Sequence, residues 1–193
     1  MRVEQTAAWA AIVARRFVEP LGHRWKHVRS VAALAQVVGQ AFGEDEDVLI
    51  AAAYLHDIGY SPELANTGFH PLDGARYLRA EREPRLASLV AHHSGARNEA
   101  ELRGFDDFLV EFPFEGTELD EALTYCDLTT GPDGRRVTLE DRVGEIQERY
   151  GAEHVVSRAI RIGQPEFVRA RDNTEQRMAQ AGITVSGWLE YPH

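Results

Sequence analysis

Four side chains scattered along the chain, His27, His56, Asp57 and Asp127, carry the donor atoms of a metal site. Divalent metals of hard to intermediate character take imidazole nitrogen and carboxylate oxygen, and several such donors must converge from different elements to fix a coordination geometry. The spacing suits that demand: His56 follows His27 by 29 residues, Asp57 is its neighbour, and Asp127 lies 70 residues beyond Asp57. Each donor arrives on its own segment, apart from the adjacent pair. A cation held there would acidify water and stabilise charge on phosphoryl oxygens, which is the chemistry of hydrolysis.

Helices must position these donors. His27, Val31, Leu34, Val38 and Phe42 recur at helical steps on one face, which places His27 on a core-facing stripe of a helix starting near His23. An earlier helix is expected from about Gln5 to Glu19, stopped near Pro20 and Gly22. The acidic run from Glu44 to Asp47 opens an apolar stretch through Leu55, and helix capping explains that run better than metal binding. Gly59 offers a stop, so His56 and Asp57 close a buried helix. Residues 60–69 read as a loop, followed by helices near His70 to Ala80 and Arg85 to His93, with Pro84 in the first turn of the latter. A loop holding Phe112, Pro113 and Phe114 precedes a helix from Glu118 to Leu128, and Gly131 to Gly134 forms a turn directly after Asp127. Leu139 to Tyr150, then a pair of helices interrupted at Pro165 between about Ala152 and Ala181, complete the expected elements, with Ile183 to His193 an irregular tail.

No alternating strand pattern appears, so the fold class is all-α, a helical bundle in which residues 1–193 form a single domain. The turn at Gly131 to Gly134 is too short and wrongly placed for a nucleotide-binding loop. No run approaches the roughly 18 apolar residues of a membrane span, and the first residues lack the zones of a signal peptide. With Cys126 the single cysteine, expected to serve packing, the protein is expected to be cytoplasmic and to have no membrane partner. The net charge of −10 disfavours a nucleic-acid polymer, which recruits basic patches. A small phosphorylated substrate is favoured instead, provided that metal ions or a few placed arginines reverse the global field locally. Arg24 and Arg97 are the anion-binding candidates, while His23 faces either the site or solvent.

The chain resembles the HD superfamily of metal-dependent phosphohydrolases. Arg24-Trp25-Lys26-His27-Val28 opens the pattern, His56-Asp57-Ile58-Gly59 is its signature, and Tyr125-Cys126-Asp127 brings its last ligand. The likeness spans about residues 23–128, leaving a C-terminal helical extension of about 138–193 outside the motifs. His70-Pro71-Leu72-Asp73-Gly74-Ala75 and His92-His93-Ser94-Gly95 look like the histidine segments that complete a second metal site in two-metal members. The resemblance therefore implies His70 and His92 as second-metal ligands, with His93 either replacing His92 or contacting substrate. Tyr60 departs from the pattern of many signalling phosphodiesterases of the superfamily, which have lysine there, and cyclic dinucleotide cleavage is disfavoured.

The resemblance implies hydrolysis of a phosphoester or phosphoanhydride, with a nucleotide as the leading substrate. The cofactor would be Mn, Fe, Ni, Co or Mg, with one site expected and a second open. Asp57 would orient the attacking water and accept its proton. Two other readings stand beside it: a di-iron oxygenase, which the same ligand positions would serve, and a non-catalytic metal-stabilised binding module. Substrate identity, physiological metal and oligomeric state stay open.

Overall fold

In the computed structural model, which describes residues 6–185, ten α-helices follow one another: α1 (Thr6–Val18), α2 (His23–Gly39), α3 (Glu46–Leu55), α4 (His70–Ala80), α5 (Pro84–His92), α6 (Ala96–Arg103), α7 (Phe108–Glu111), α8 (Glu118–Leu128), α9 (Leu139–Tyr150) and α10 (Val155–Gln180). No strand occurs among the described residues, and one isolated bridge pairs Thr130 with Arg136 across the expected turn. The expected helix start at Gln5 and the tail beyond Val185 lie outside the described residues.

Helix α3 is the apolar centre. Six of its ten residues, from Leu49 to Leu55, are buried, and α1, α2, α5 and α8 pack around it. Leu55 is fully buried one residue before His56, so its truncation to alanine should cost about 2–5 kcal/mol and loosen the backbone beneath the site. Helix α2 buries the stripe read from its sequence, His27, Val31, Leu34 and Val38. Helix α8 starts with a capping box between Thr117 and Asp120, which satisfies two otherwise orphaned backbone groups. A smaller apolar cluster of Leu128, Leu139, Val143, Ile146, Ile160 and Phe167 lies apart from the main core and joins α9 and α10 to the end of α8.

Three local expectations differ from the fold. Pro165 does not divide the last helix: α10 runs unbroken through it. An interior proline costs about 3 kcal/mol, and here the continuous face of Ile160, Phe167, Ala170, Thr174 and Met178, packed on α6, α8 and α9, offsets it. Helices α6 and α7 occupy stretches where no helix was expected. The acidic run before α3 makes no side-chain cap on its own helix. Asp47 instead accepts the backbone N–H of Ala7 at the start of α1, and Asp45 pairs with Arg85 at 2.6 Å.

Candidate metal centre

The donors sit where helices end. His27 lies in the second turn of α2, Asp127 is the penultimate residue of α8, His56 caps the C-terminus of α3, and His70 opens α4. At Gly59 an added Cβ would fall 2.0 Å from the carbonyl oxygen of His70 and 2.7 Å from the nitrogen of Gly74. Only a glycine lets the turn after Asp57 press against the start of α4, and that contact brings Asp57 to His70. The loop before His70 is tied down by Asp73, whose buried carboxylate accepts the N–H groups of Asn66 and Thr67 at 3.1 Å. Gly134, at φ 83°, seats the turn on α2 beside Ser30 and leaves the Gly131 carbonyl facing His27.

Two groups of donors result, His27–His56–Asp57 and Asp57–His70–His93, and Asp57 belongs to both. His56 Nε2 and His70 Nε2 approach opposite carboxylate oxygens of Asp57, at 3.5 and 3.4 Å. Asp127 stands 2.9 Å from His27 Nε2 and 3.8 Å from His56 Nε2, and His70 and His93 face each other Nε2 to Nε2 at 3.2 Å. Neighbouring ligands on one cation with bonds of about 2.1 Å stand about 3.0–3.5 Å apart, the spacing that prevails here.

Tautomers point the same way. His27, His56 and His93 each set Nδ1 against a backbone carbonyl, of Gly131 at 3.0 Å, Ala53 at 2.8 Å and Val90 at 2.6 Å. A carbonyl only accepts, so Nδ1 carries the proton and, in the neutral ring, Nε2 turns a lone pair into the site. His56 Nε2 is buried without a hydrogen-bond partner. Imidazole lone pairs and carboxylates gathered this closely could hold a cation, and the donor set fits one or two divalent ions.

Burial pushes the pKa of His70 and His93 below the ordinary imidazole value, which keeps them neutral and able to ligate. Burial alone would raise Asp57, but the surrounding imidazoles of His56, His70 and His27 and the guanidinium of Arg24 outweigh it and hold the carboxyl far below the usual range. Asp127 is likewise depressed, against its burial, by its close contact with His27 and by the neighbouring imidazole of His56. Arg24 donates to Asp57 at 2.7 Å and lies over the Tyr60 ring, 3.5 Å from its centroid, while Tyr60 stacks on His70 at 3.8 Å. Ser94 holds a left-handed conformation unusual for a non-glycine residue, φ 50° and ψ 36°, and its hydroxyl contacts the second oxygen of Asp127.

The structure brings His27, Asp57, Asp127, His70, His93 and Arg24 to the lining of a cavity of about 280 Å³, with His56 fully buried beside Asp57 and Asp127. His92 is not among them. Its ring lies between Phe108 and Phe114, and its Nε2 donates to the Phe112 carbonyl at 2.7 Å. Consecutive residues on a helix point about 100° apart, so only one of the pair can face the site, and His93 does. Arg97 also leaves the pocket: it pairs with Glu166 and covers the Phe114 ring at 4.2 Å. His23 is exposed and does not line the cavity.

Sequence reasoning missed the far wall. Arg103 from α6, Arg142, Ile146, Arg149 and Tyr150 from α9, His154, and Val156 and Ile160 from α10 also line the cavity. The one signal was the face of α9, where Arg142, Ile146, Arg149 and Tyr150 recur at helical spacing. Ser94 was equally unmarked.

Comparison with known proteins bears on this geometry. The family model described as "HD domain" matches residues 24–153, more than half of the chain, a span holding every residue of the two donor groups as well as α9. Ribonuclease Y of Rhodopirellula baltica is 30% identical over 123 residues, covering 64% of this chain and 21% of that protein. The chain thus spans about a fifth of that relative's length. No solved structure matches the chain.

Proposed function

The chain belongs to the HD-domain family, whose members have metal-dependent phosphohydrolase-type activity, and from that premise we propose that it hydrolyses a phosphoester or phosphoanhydride in a small phosphorylated metabolite, a nucleotide being the leading class. The observation carrying this reading is the pair of donor groups that share Asp57 at the floor of an arginine-lined cavity.

His27, His56, Asp57 and Asp127 would hold one divalent ion, with His70 and His93 joining Asp57 for a second. Bound there, the ions supply acidified water and charge stabilisation for the phosphoryl group. Asp57, charged throughout the physiological range and shared by both donor groups, would orient the water and accept its proton. Arg24, anchored on Asp57 and flattened on Tyr60, keeps the remaining donors of its guanidinium for a phosphoryl oxygen. Tyr60 fixes the plane of His70, and Ser94 fixes Asp127.

The test is metal analysis of protein purified without added metal, joined to an anaerobic screen of phosphorylated metabolites. Phosphate release without oxygen, from a protein holding one or two ions, is the expected result. Iron with oxygen consumption and no phosphate release would replace this reading with the oxygenase. Release of nucleotides from an RNA chain, the activity in the name of the Rhodopirellula relative, would replace the small substrate with a polymer. A net charge of −10 supports the small substrate.

A further inference from the structure

We infer that Arg142, assisted by Arg149, receives a second anionic group on the substrate, a phosphoryl or carboxylate group carried by the part that leaves. This rests on the phosphohydrolase reading and adds to it the class of leaving group.

Charge pairing inside the cavity singles out α9. Arg24 is matched by Asp57, and Arg103 by Glu99 at 2.7 Å. On α9 the single carboxylate of Glu145 serves both Arg142 and Arg149. Two guanidinium groups share one negative charge, so among the described residues this wall keeps an excess positive charge. Arg142 is 9% exposed, and its Nε is buried with no hydrogen-bond partner. An unpaired buried donor costs about 1–3 kcal/mol, more where the group is charged, and an anion entering the cavity would relieve that cost.

The placement sets the order of groups along a ligand. The imidazole and carboxylate donors line one part of the cavity, and residues of α9 and the start of α10 line another. Ile146, Val156 and Ile160 give the α9–α10 side an apolar lining, and the stacked rings of Tyr150 and His154, 4.9 Å apart, flank it. A phosphoryl group at the metal end, a small organic body along the apolar lining and a second anion at Arg142 fill these features together. A leaving group without charge would bury Arg142 further and leave its Nε unanswered.

Calorimetric titration of the metal-loaded chain with inorganic phosphate, and separately with acetate, tests this. The wild-type chain is expected to bind phosphate at two places, one dependent on metal and one on Arg142. Arg142→Gln should weaken the second by about tenfold or more while metal content and the metal-dependent site persist. Arg149→Gln, at an exposed residue, should weaken the same site less and covers the case in which Arg142→Gln fails to fold. His56→Ala should remove the metal-dependent site and spare the other. If acetate binds more tightly than phosphate at the Arg142 site, the second group is a carboxylate; the reverse makes it phosphoryl. Unchanged binding at both places in folded Arg142→Gln and Arg149→Gln overturns the inference. Loss of phosphate binding at the metal end alone would count against the phosphohydrolase reading and leave the Arg142 result standing.

Discussion

The two walls of the cavity are built from different material. On the donor side, short rings sit at helix ends and are locked by backbone: three histidines lean on carbonyls of their own surroundings, and Asp57 is gripped by Arg24. On the α9–α10 side, long arginines project from helix surfaces that pack on a small separate cluster. Rigid short side chains hold a fixed coordination geometry, and long flexible ones adapt to the shape of a ligand at a cost in entropy. On the proposed function, the first wall carries the chemistry and the second the selectivity.

The largest effect tests the first wall. His56→Ala or Asp57→Ala should abolish metal retention and lower turnover on the order of a thousandfold or more, measured by metal analysis alongside initial rates. Full occupancy in both folded variants would remove the donor wall from the chemistry.

His92 and His93 offer a sharper contrast, since they are neighbours on different sides of the same helix end. His93→Ala should drop metal stoichiometry from about two toward one and cut activity steeply, with His70→Ala behaving alike. His92→Ala should leave the metal count alone and cost about 2 kcal/mol of stability by orphaning the Phe112 carbonyl among packed rings. Equal metal loss in the two variants would contradict the division.

A smaller change is expected from Ser94→Ala, which removes the hydroxyl that positions Asp127. Metal affinity or turnover should fall by roughly 10–100-fold with the fold intact. Wild-type values in this variant would make the hydroxyl contact incidental.

Acid should act on the donor wall before the far wall. The pKa values of His70 and His93 lie below the ordinary 6.5, so as pH falls through that value the unfolded chain takes up protons that the native rings refuse. Stability of the metal-free protein is therefore full above about pH 7 and declines below 6.5. Asp57 and Asp127 have depressed values, so their contribution stands above the ordinary 3.8 and is lost only in strong acid. Melting temperatures of chelator-treated protein across about pH 8 to 5 should show that decline, and a maximum at the acid end would contradict neutral buried imidazoles. The smallest effect belongs to neither wall. Breaking the exposed Arg16–Glu63 pair by Arg16→Ala should change stability by less than about 1 kcal/mol and leave metal content alone.

Much of the donor wall was legible because its residues sit in short strings at the ends of strongly patterned helices. His27 lies on the apolar stripe of α2, His56 and Asp57 end an apolar run before a glycine, and Asp127 precedes a glycine-rich turn. The pair at 92 and 93 was not resolvable in one dimension. Helical phase separates two adjacent residues by about 100°, and which of them faces the site depends on how α5 is rotated against α7 and α8. Pro165 misled for a related reason: local propensity favours a break, and only the packing of α10 on three other helices outweighs it.

The sequence by itself determined the all-α class, most helix boundaries and the kinds of atom offered to a metal, because periodicity, caps and donor chemistry are local properties. The tertiary structure decided which donors meet, that Asp57 belongs to both groups, and that Arg142 and Arg149 line the same cavity. Those are facts of approach between segments up to about a hundred residues apart, such as Asp127 against His27, set by a glycine that lets two turns touch and by helices packed on separate cores. No spacing along a chain encodes them, since the contacts arise only when burial of apolar faces brings the segments together.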